Sequence, residues 1–262
     1  MNDFDNKSVL ITGAVGGIGS AVCHLLASRG ASIIASDRDG DALTKLIAEL
    51  PTNIEQQHHS IAGDLGDCEF ADSLPTQASV LVNRLDVLIN NAGLIRRGNV
   101  LETSDEDWQV SMQINVEAVF RVCRTAIGIM QGQDLDSANA RGSIVNVASC
   151  WGLYPGPNHV AYCTSKAAVA AMTQCLARDH AADAIRVNAV CPNEVNTPML
   201  RSGFAMRGLD PDTAVAELNS TVPLGRIAEP EDIADVIAFL ASEQARYMCG
   251  ALLEVNGAKP VG

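Results

Sequence analysis

Residues 149–166 read SCWGLYPGPNHVAYCTSK and carry a serine, a tyrosine and a lysine whose types and gaps could do proton chemistry at an oxygen atom. Tyr162 and Lys166 lie four apart in AYCTSKAAVAAMT, an alanine-rich helical pattern, so both side chains fall on one helix face. A tyrosine with its ordinary pKa of about 10 is a poor acid or base at neutral pH. A lysine ammonium beside it favours the phenolate and is expected to lower that pKa toward the working range. Ser149 closes the apolar run SIVNVA, and its hydroxyl could donate to a carbonyl oxygen as negative charge develops there. Taken singly, a helix lysine is usually solvated and a serine after a strand usually just turns the chain. The three act together only if the fold brings residue 149 beside residues 162 and 166.

The elements that must do this are legible as an alternation. Apolar runs at 9–12, 32–36, 87–90, 143–148, 185–190 and 251–255, with a weaker one within 55–62, read as strands. Helix-length segments at 17–29, 41–50, 67–83, 104–130, 161–182 and 231–242 separate them. Continuous apolar strands divided by helices predict a parallel sheet covered on both faces, a doubly wound α/β fold in one domain over 1–262. In such a fold the strand ends and helix starts meet at the carboxyl edge of the sheet, where ligands bind. The one long irregular segment, about 192–223 with a helix near 213–219, is expected to be a lid rather than a linker.

The first strand runs into TGAVGGIGSAV, with Gly13, Gly17 and Gly19 between strand and helix. A glycine at the tight turn lets the backbone approach a pyrophosphate, and the later ones let the helix start close to the sheet with its N–H groups aimed at phosphates. Asp37 ends the second strand, where a carboxylate can accept from an adenosine ribose and would repel a 2′-phosphate, so NAD is favoured over NADP. Two other readings stay open. Arg38 could hold a 2′-phosphate, and Asp37 could instead cap the helix at 41–50.

Bulk properties exclude several function classes. The chain has 262 residues, 47% hydrophobic and 19% charged, enough for one large core. A net charge of −13 disfavours nucleic acid, anionic membrane surfaces and very acidic carrier proteins as partners. The acidic N-terminus MNDFDNKSVLITG does not read as a signal peptide, and no run approaches the ~18 apolar residues of a membrane span, so a cytoplasmic location is expected. The eight cysteines form no CxxC pair and, with the histidines, no zinc spacing. They read as small buried hydrophobes, with no metal and no disulfide.

On these residues the chain resembles a classical short-chain dehydrogenase/reductase over essentially its whole length. The motifs that carry the likeness are 12–19, Asn90-Asn91-Ala92-Gly93, Asn115 in the long helical segment, Ser149, Tyr162-x-x-x-Lys166, and IRVNAVCP followed by Thr197. The resemblance implies a seven-stranded Rossmann-type sheet and hydride transfer between a nicotinamide cofactor and a secondary alcohol or carbonyl. It implies that Tyr162 is the general acid/base, that Ser149 polarises the substrate oxygen, and that Lys166 also binds the nicotinamide ribose. Asn115 would hold a water that relays protons through Lys166. The cofactor would be held by Gly13, Gly17, Ile18, Gly19, Asp37, Asn91, Ala92, Gly93, Tyr162, Lys166, Pro192, Val195 and Thr197, with Asp64 at the adenine and Leu65 packed beside it. A homotetramer using the helices within 104–130 and 161–182 is also implied, and both segments carry apolar residues beyond one core-facing stripe.

Two departures stand out. Pro192-Asn193-Glu194 replaces the usual Pro-Gly after the sixth strand, and Val255-Asn256-Gly257-Ala258 replaces a common Asp-Gly-Gly. Asparagine can adopt the left-handed backbone conformation that glycine would supply there.

The substrate pocket should be lined by the loop after Gly93 with Arg96 and Arg97, by the loop 150–159 with Trp151, Tyr154 and His159, and by Glu194 where the lid begins. This lining suits a small polyhydroxylated ligand, a sugar, sugar acid or polyol, with an arginine for any anionic group. Arg96 and Arg97 could equally be solvated loop residues in surface ion pairs, and His159 reads as pocket wall or surface rather than a second base. Two alternatives remain: a 3-oxoacyl-carrier-protein reductase, disfavoured by the charge and the absence of a basic residue in 127–133, and a non-catalytic NAD-binding sensor or scaffold.

Overall fold

The structure is a computed structural model that describes residues 3–259. Seven strands form one parallel sheet: β1 (Ser8–Thr12), β2 (Ser32–Asp37), β3 (His59–Ala62), β4 (Val87–Asn90), β5 (Gly142–Val147), β6 (Ile185–Pro192) and β7 (Leu252–Val255). Their spatial order is β3-β2-β1-β4-β5-β6-β7, so the direction of winding reverses beside β1 and β4. In β1, Val9 and Ile11 pack with α1 (Gly17–Ser28), α2 (Gly40–Glu49) and the later helix at Pro230–Ala241, while Leu10 packs on the opposite side. There it meets α3 (Cys68–Leu81), α5 (Ala118–Gln131) and the end of α7 (Val160–His180). Burial on both faces is why these strands read as continuous apolar runs rather than alternating ones.

Register aligns the carboxyl edge. Thr12 is level with Ser36 on one side and Asn90 on the other, and Asn90 is level with Asn146. The Asn90 amide donates to Asn146 Oδ1 at 2.9 Å, and Asn146 donates to Thr173 Oγ1 of α7 at 2.9 Å. Such a satisfied buried polar chain ties helix α7 to the strands at a defined height, which apolar packing alone would leave freer to slide.

Four local features differ from the sequence expectation. The predicted helix over 104–130 is divided into α4 (Asp105–Met112), a π-helical turn at Gln113–Glu117 and α5. Nothing in the local sequence, neither glycine nor proline, marks that break. The loop 150–159 opens with a short helix, α6 (Cys150–Leu153). The segment after β6 carries two helices, α8 (Pro198–Ala205) and α9 (Pro211–Ser220), before α10 (Pro230–Ala241). All eight cysteines are free, but Cys175 and Cys249 are exposed and Cys68 is half-buried, so only five are core hydrophobes. Among the described residues no helix is long and apolar enough to cross a membrane, and no group of three or more His, Cys, Asp or Glu could hold a metal ion.

Candidate active site

Chain direction brings the opening residues together. Strand β5 ends at Val147, and Ser149 follows as the N-cap of α6, its Oγ accepting from Trp151 N–H at 3.1 Å and donating to the Pro192 carbonyl at 3.4 Å. Helix α7 starts after His159 and presents Tyr162 and Lys166 toward that strand end. Lys166 is only 5% exposed, and its Nζ donates to the Val147 carbonyl at 2.7 Å, leaving further ammonium protons for other acceptors. Ser149, Tyr162 and Lys166 line one cavity, which closes the group.

The electrostatics differ from the expectation that Lys166 lowers Tyr162. Tyr162 keeps part of its ring on the cavity, but packing desolvates the phenol and raises its pKa, with the Ser149 hydroxyl the largest opposing influence. The cation whose charge favours its phenolate is Arg97, not Lys166. The reason is positional: Lys166 is drawn under the strand end to the Val147 carbonyl, and burial pushes its own pKa down to about 8.

Asn115 is fully buried in the π-helical turn and does not reach the cavity. Its side chain accepts from Leu94 N–H, donates to the Leu94 carbonyl and donates to Ser165 Oγ, each at 2.9 Å. A π turn projects a side chain out of helical phase, and here the amide clamps the loop after Gly93 onto α7. Gly93 is wedged between this amide and Lys166: a Cβ built on it would lie 3.3 Å from both Asn115 Oδ1 and Lys166 Nζ.

The same cavity, about 710 Å³, extends from Tyr162 to the turn after β1. Gly13, Gly17, Ile18, Asp37, Asn91, Ala92, Gly93, Pro192, Val195 and Thr197 all line it, whereas Gly19 lies behind the turn. Gly13 has φ +63°, and a Cβ on it would lie 2.7 Å from Ala92 Cα, so the turn and the fourth strand's end touch backbone to backbone. Asn91 holds them together by donating to the Thr12 and Gly13 carbonyls. Helix α1 follows Gly16 as its N-cap, with no side-chain cap and no acidic residue in its first turn, so its positive end faces the cavity uncompensated. That end, with the bare backbone of the turn, fits a dinucleotide pyrophosphate.

Asp37 lines the cavity and accepts from Val15 N–H and Arg38 N–H, at 3.3 and 2.8 Å. It does not cap α2, because Asp39 does, accepting from Ala42 N–H at 3.0 Å. Asp39 also lines the cavity, giving this end two carboxylates beside Arg38. Asp64 and Leu65 do not line it: Asp64 turns onto Gly66 N–H at 2.8 Å, and Leu65 packs against the core under α3 and α5.

The expected substrate residues divide. Arg97, Trp151, His159 and Glu194 line the cavity. Arg96 does not, because it pairs with Asp107 at the start of α4 at 2.9 Å. Tyr154 points away, its hydroxyl donating to Glu254 at 3.1 Å on β7. The Glu194 carboxylate is held by Lys259 at 2.6 Å. The Trp151 and His159 rings stack edge-on with centroids 4.5 Å apart, and Gly98 N–H bonds the Asn158 carbonyl, tying the Arg97 loop to the 150–159 loop.

Sequence reasoning missed several wall residues. Asn193 does not enter the left-handed region; it lines the cavity with a buried Oδ1 that has no protein partner. The left-handed residues near the second departure are Gly257, at φ 59°, and Ala258, at φ 63°. Arg207, beyond α8, also lines the cavity together with Phe204 and Leu218, and no spacing links it to Arg97 in the chain.

Comparison with known proteins agrees with this geometry. A family model described as enoyl-(acyl carrier protein) reductase matches residues 13–257, nearly the whole site-bearing domain. The chain belongs to the classical short-chain dehydrogenase/reductase family. Its relatives include a meso-2,3-butanediol dehydrogenase of Serratia marcescens, 35% identical over 97% of this chain and 94% of that protein. Another is the 3-oxoacyl-acyl-carrier-protein reductase of Thermotoga maritima, 35% identical over 97% of both chains. The crystal structure of levodione reductase superposes with a TM-score of 0.90 at 27% identity, covering 97% of each chain. This dehydrogenase/reductase is thus an oxidoreductase of a family that uses a nicotinamide cofactor on CH–OH or carbonyl groups.

Proposed function

We propose that the protein is an NAD-linked dehydrogenase of a small polar secondary alcohol, a sugar, sugar acid or polyol, working in the cytoplasm as a homotetramer. The observation that carries this reading is the buried Ser149–Tyr162–Lys166 group opening into the same cavity as the Gly13 turn and Asp37. When bound, the nicotinamide cofactor supplies the hydride acceptor or donor. Gly13, Ile18, Asn91 and the start of α1 would hold its pyrophosphate side, Asp37 its adenosine ribose, and Lys166, Val195 and Thr197 its nicotinamide half.

During oxidation Ser149 Oγ donates to the substrate oxygen and holds it against Tyr162 Oη, which removes the hydroxyl proton. Arg97 favours the phenolate, and Lys166, whose charged form burial confines to below about pH 8, would hold the nicotinamide ribose. Asn115 acts as a positioning residue, since its amide is spent on Leu94 and Ser165. Any proton-relaying water there would be held by main-chain groups of the π turn.

Polar substrate hydroxyls are supported by Ser149, Trp151 and His159 in the wall. NAD over NADP is supported by Asp37 and Asp39 together. The tetramer is supported by Trp108 and Phe120, exposed on α4 and α5. A screen of NAD+ reduction over sugars, sugar acids and polyols, with Tyr162→Phe as control, tests the reading. Turnover that Tyr162→Phe reduces by about 10²–10⁴ supports it. A strong preference for NADPH with an acyl thioester would replace it with a carrier-protein reductase, and tight NAD binding without any turnover would point to a sensor.

A further inference from the structure

We infer that the substrate carries a carboxylate, clamped between Arg97 on the fixed loop after β4 and Arg207 on the segment that follows α8. This rests on the dehydrogenase reading above and narrows its substrate class. Both guanidiniums meet at Gly203 of α8. Arg207 Nε donates to the Gly203 carbonyl at 3.0 Å, and a Cβ built on Gly203 would lie 2.8 Å from Arg97 Nη1, so only a residue without a side chain lets Arg97 lie there. Arg207 also lies over the Phe204 ring at 5.0 Å, which fixes the plane of its guanidinium.

Other arginines of these two segments are neutralised within the protein: Arg96 by Asp107 and Arg201 by Asp212. Among the described residues, neither Arg97 nor Arg207 has a carboxylate within ion-pair distance. The cavity's own acids do not serve them, because Asp37 and Asp39 stand at the Gly13 end and Glu194 is held by Lys259. In a chain of net charge −13, two like charges left facing each other in a cavity call for an anion between them. Each charge is felt by its surroundings: burial lowers Arg97 and Arg207 adds to that, and His159, lowered mainly by burial, is lowered further by both arginines. His159 is therefore a neutral wall of the site at physiological pH. Arg97 and Tyr162 line the same cavity, so a carboxylate held at Arg97 shares that cavity with the reacting carbinol.

An anion between them would convert mutual repulsion into two charge-assisted hydrogen-bond pairs. Because Arg207 rides on the segment after α8 and Arg97 does not, the same anion would draw that segment over the site.

The test compares kcat/KM with NAD+, and calorimetric binding to the NAD-loaded protein, for matched acid and neutral pairs. These are D-gluconate against D-glucitol, D-galactonate against galactitol, and 3-hydroxybutyrate against its amide. The acid of at least one pair is expected to exceed its neutral partner by about tenfold or more. Arg97→Gln, Arg207→Gln and Gly203→Ala should each bring that ratio toward one, chiefly through KM, while Arg96→Gln keeps it. Sodium chloride should reduce the ratio in the wild type, since both arginines are exposed. Equal use of acid and neutral partners would overturn the clamp and leave the polyol reading standing. Preference in the hydroxybutyrate pair alone would keep the clamp and overturn the polyhydroxylated substrate. Glucose 6-phosphate used better than gluconate would overturn the carboxylate assignment, and neither turnover nor binding in any pair would overturn both.

Discussion

Replacing Gly13 by alanine should separate the cost of the nucleotide turn from the cost of ordinary crowding. Gly13 has φ +63°, a conformation that costs an L residue about 1–2 kcal/mol. The new methyl would also lie 2.7 Å from Ala92 Cα and 2.9 Å from Ala92 N, against a comfortable separation of about 3.5–4.0 Å. Those neighbours are backbone atoms, held by Ala92 N–H on Thr12 Oγ1 at 3.2 Å and by Asn91 on the Thr12 and Gly13 carbonyls at 3.2 and 2.9 Å. They cannot swing aside as a side-chain end would, so the overpacking term of about 1–3 kcal/mol applies in full. The sum is a loss of about 2–5 kcal/mol, a large part of the stability of a typical domain. Urea unfolding at fixed protein concentration measures it, and NAD+ titration of the folded variant should show binding weakened about tenfold or more. Gly16→Ala is the control: its φ is −68° and its nearest foreign atom is the Gly13 carbonyl oxygen at 3.3 Å, so it should cost under about 1 kcal/mol. If both variants lost the same small amount, the argument that the two strand ends touch through bare backbone would be wrong.

Three further outcomes follow from the site. Asp37→Ala should narrow the NAD+ over NADP+ ratio of kcat/KM by about tenfold or more, because it removes the carboxylate that opposes a 2′-phosphate; an unchanged ratio would assign discrimination to Asp39 instead. Burial lowers Lys166 from 10.5 to about 8, so between those values the unfolded chain holds a proton that the folded chain lacks, and stability from this group rises with pH. Wild type should therefore gain about 1–2 kcal/mol relative to Lys166→Met between pH 7.5 and 9.5, read from paired urea curves; a constant difference would mean that Lys166 is not desolvated. Tyr154→Phe should leave KM for the best substrate within about twofold, since its hydroxyl is spent on Glu254 away from the cavity, whereas a large KM change would return it to the pocket.

The seven strands and the helices flanking them were readable because burial on both faces forces continuous apolar runs, and these survive in the sequence as a pattern. The Gly13 turn and the pairing of Tyr162 with Lys166 were readable for a related reason, since both depend on local geometry within one turn or one helix. The long segment 104–130 misled because the π turn at Asn115 answers to tertiary partners, Leu94 and Ser165, and not to its own neighbours. Asn193 misled likewise: glycine's usual place suggested a left-handed backbone, but the side chain is directed into the cavity wall.

Sequence alone determined the doubly wound fold, the location of the glycine turn at one end of the first strand, and the residue types gathered at the candidate site. Tertiary structure alone decided which of the pocket residues face inward. Arg96 and Arg97 are neighbours in the chain, yet Asp107 takes one and the cavity keeps the other. Arg97 and Arg207 lie on segments far apart in the chain, yet they meet at Gly203. Periodicity reports how a residue sits within its own element, whereas the partner of a long, flexible, charged side chain is set by which elements the fold packs beside it.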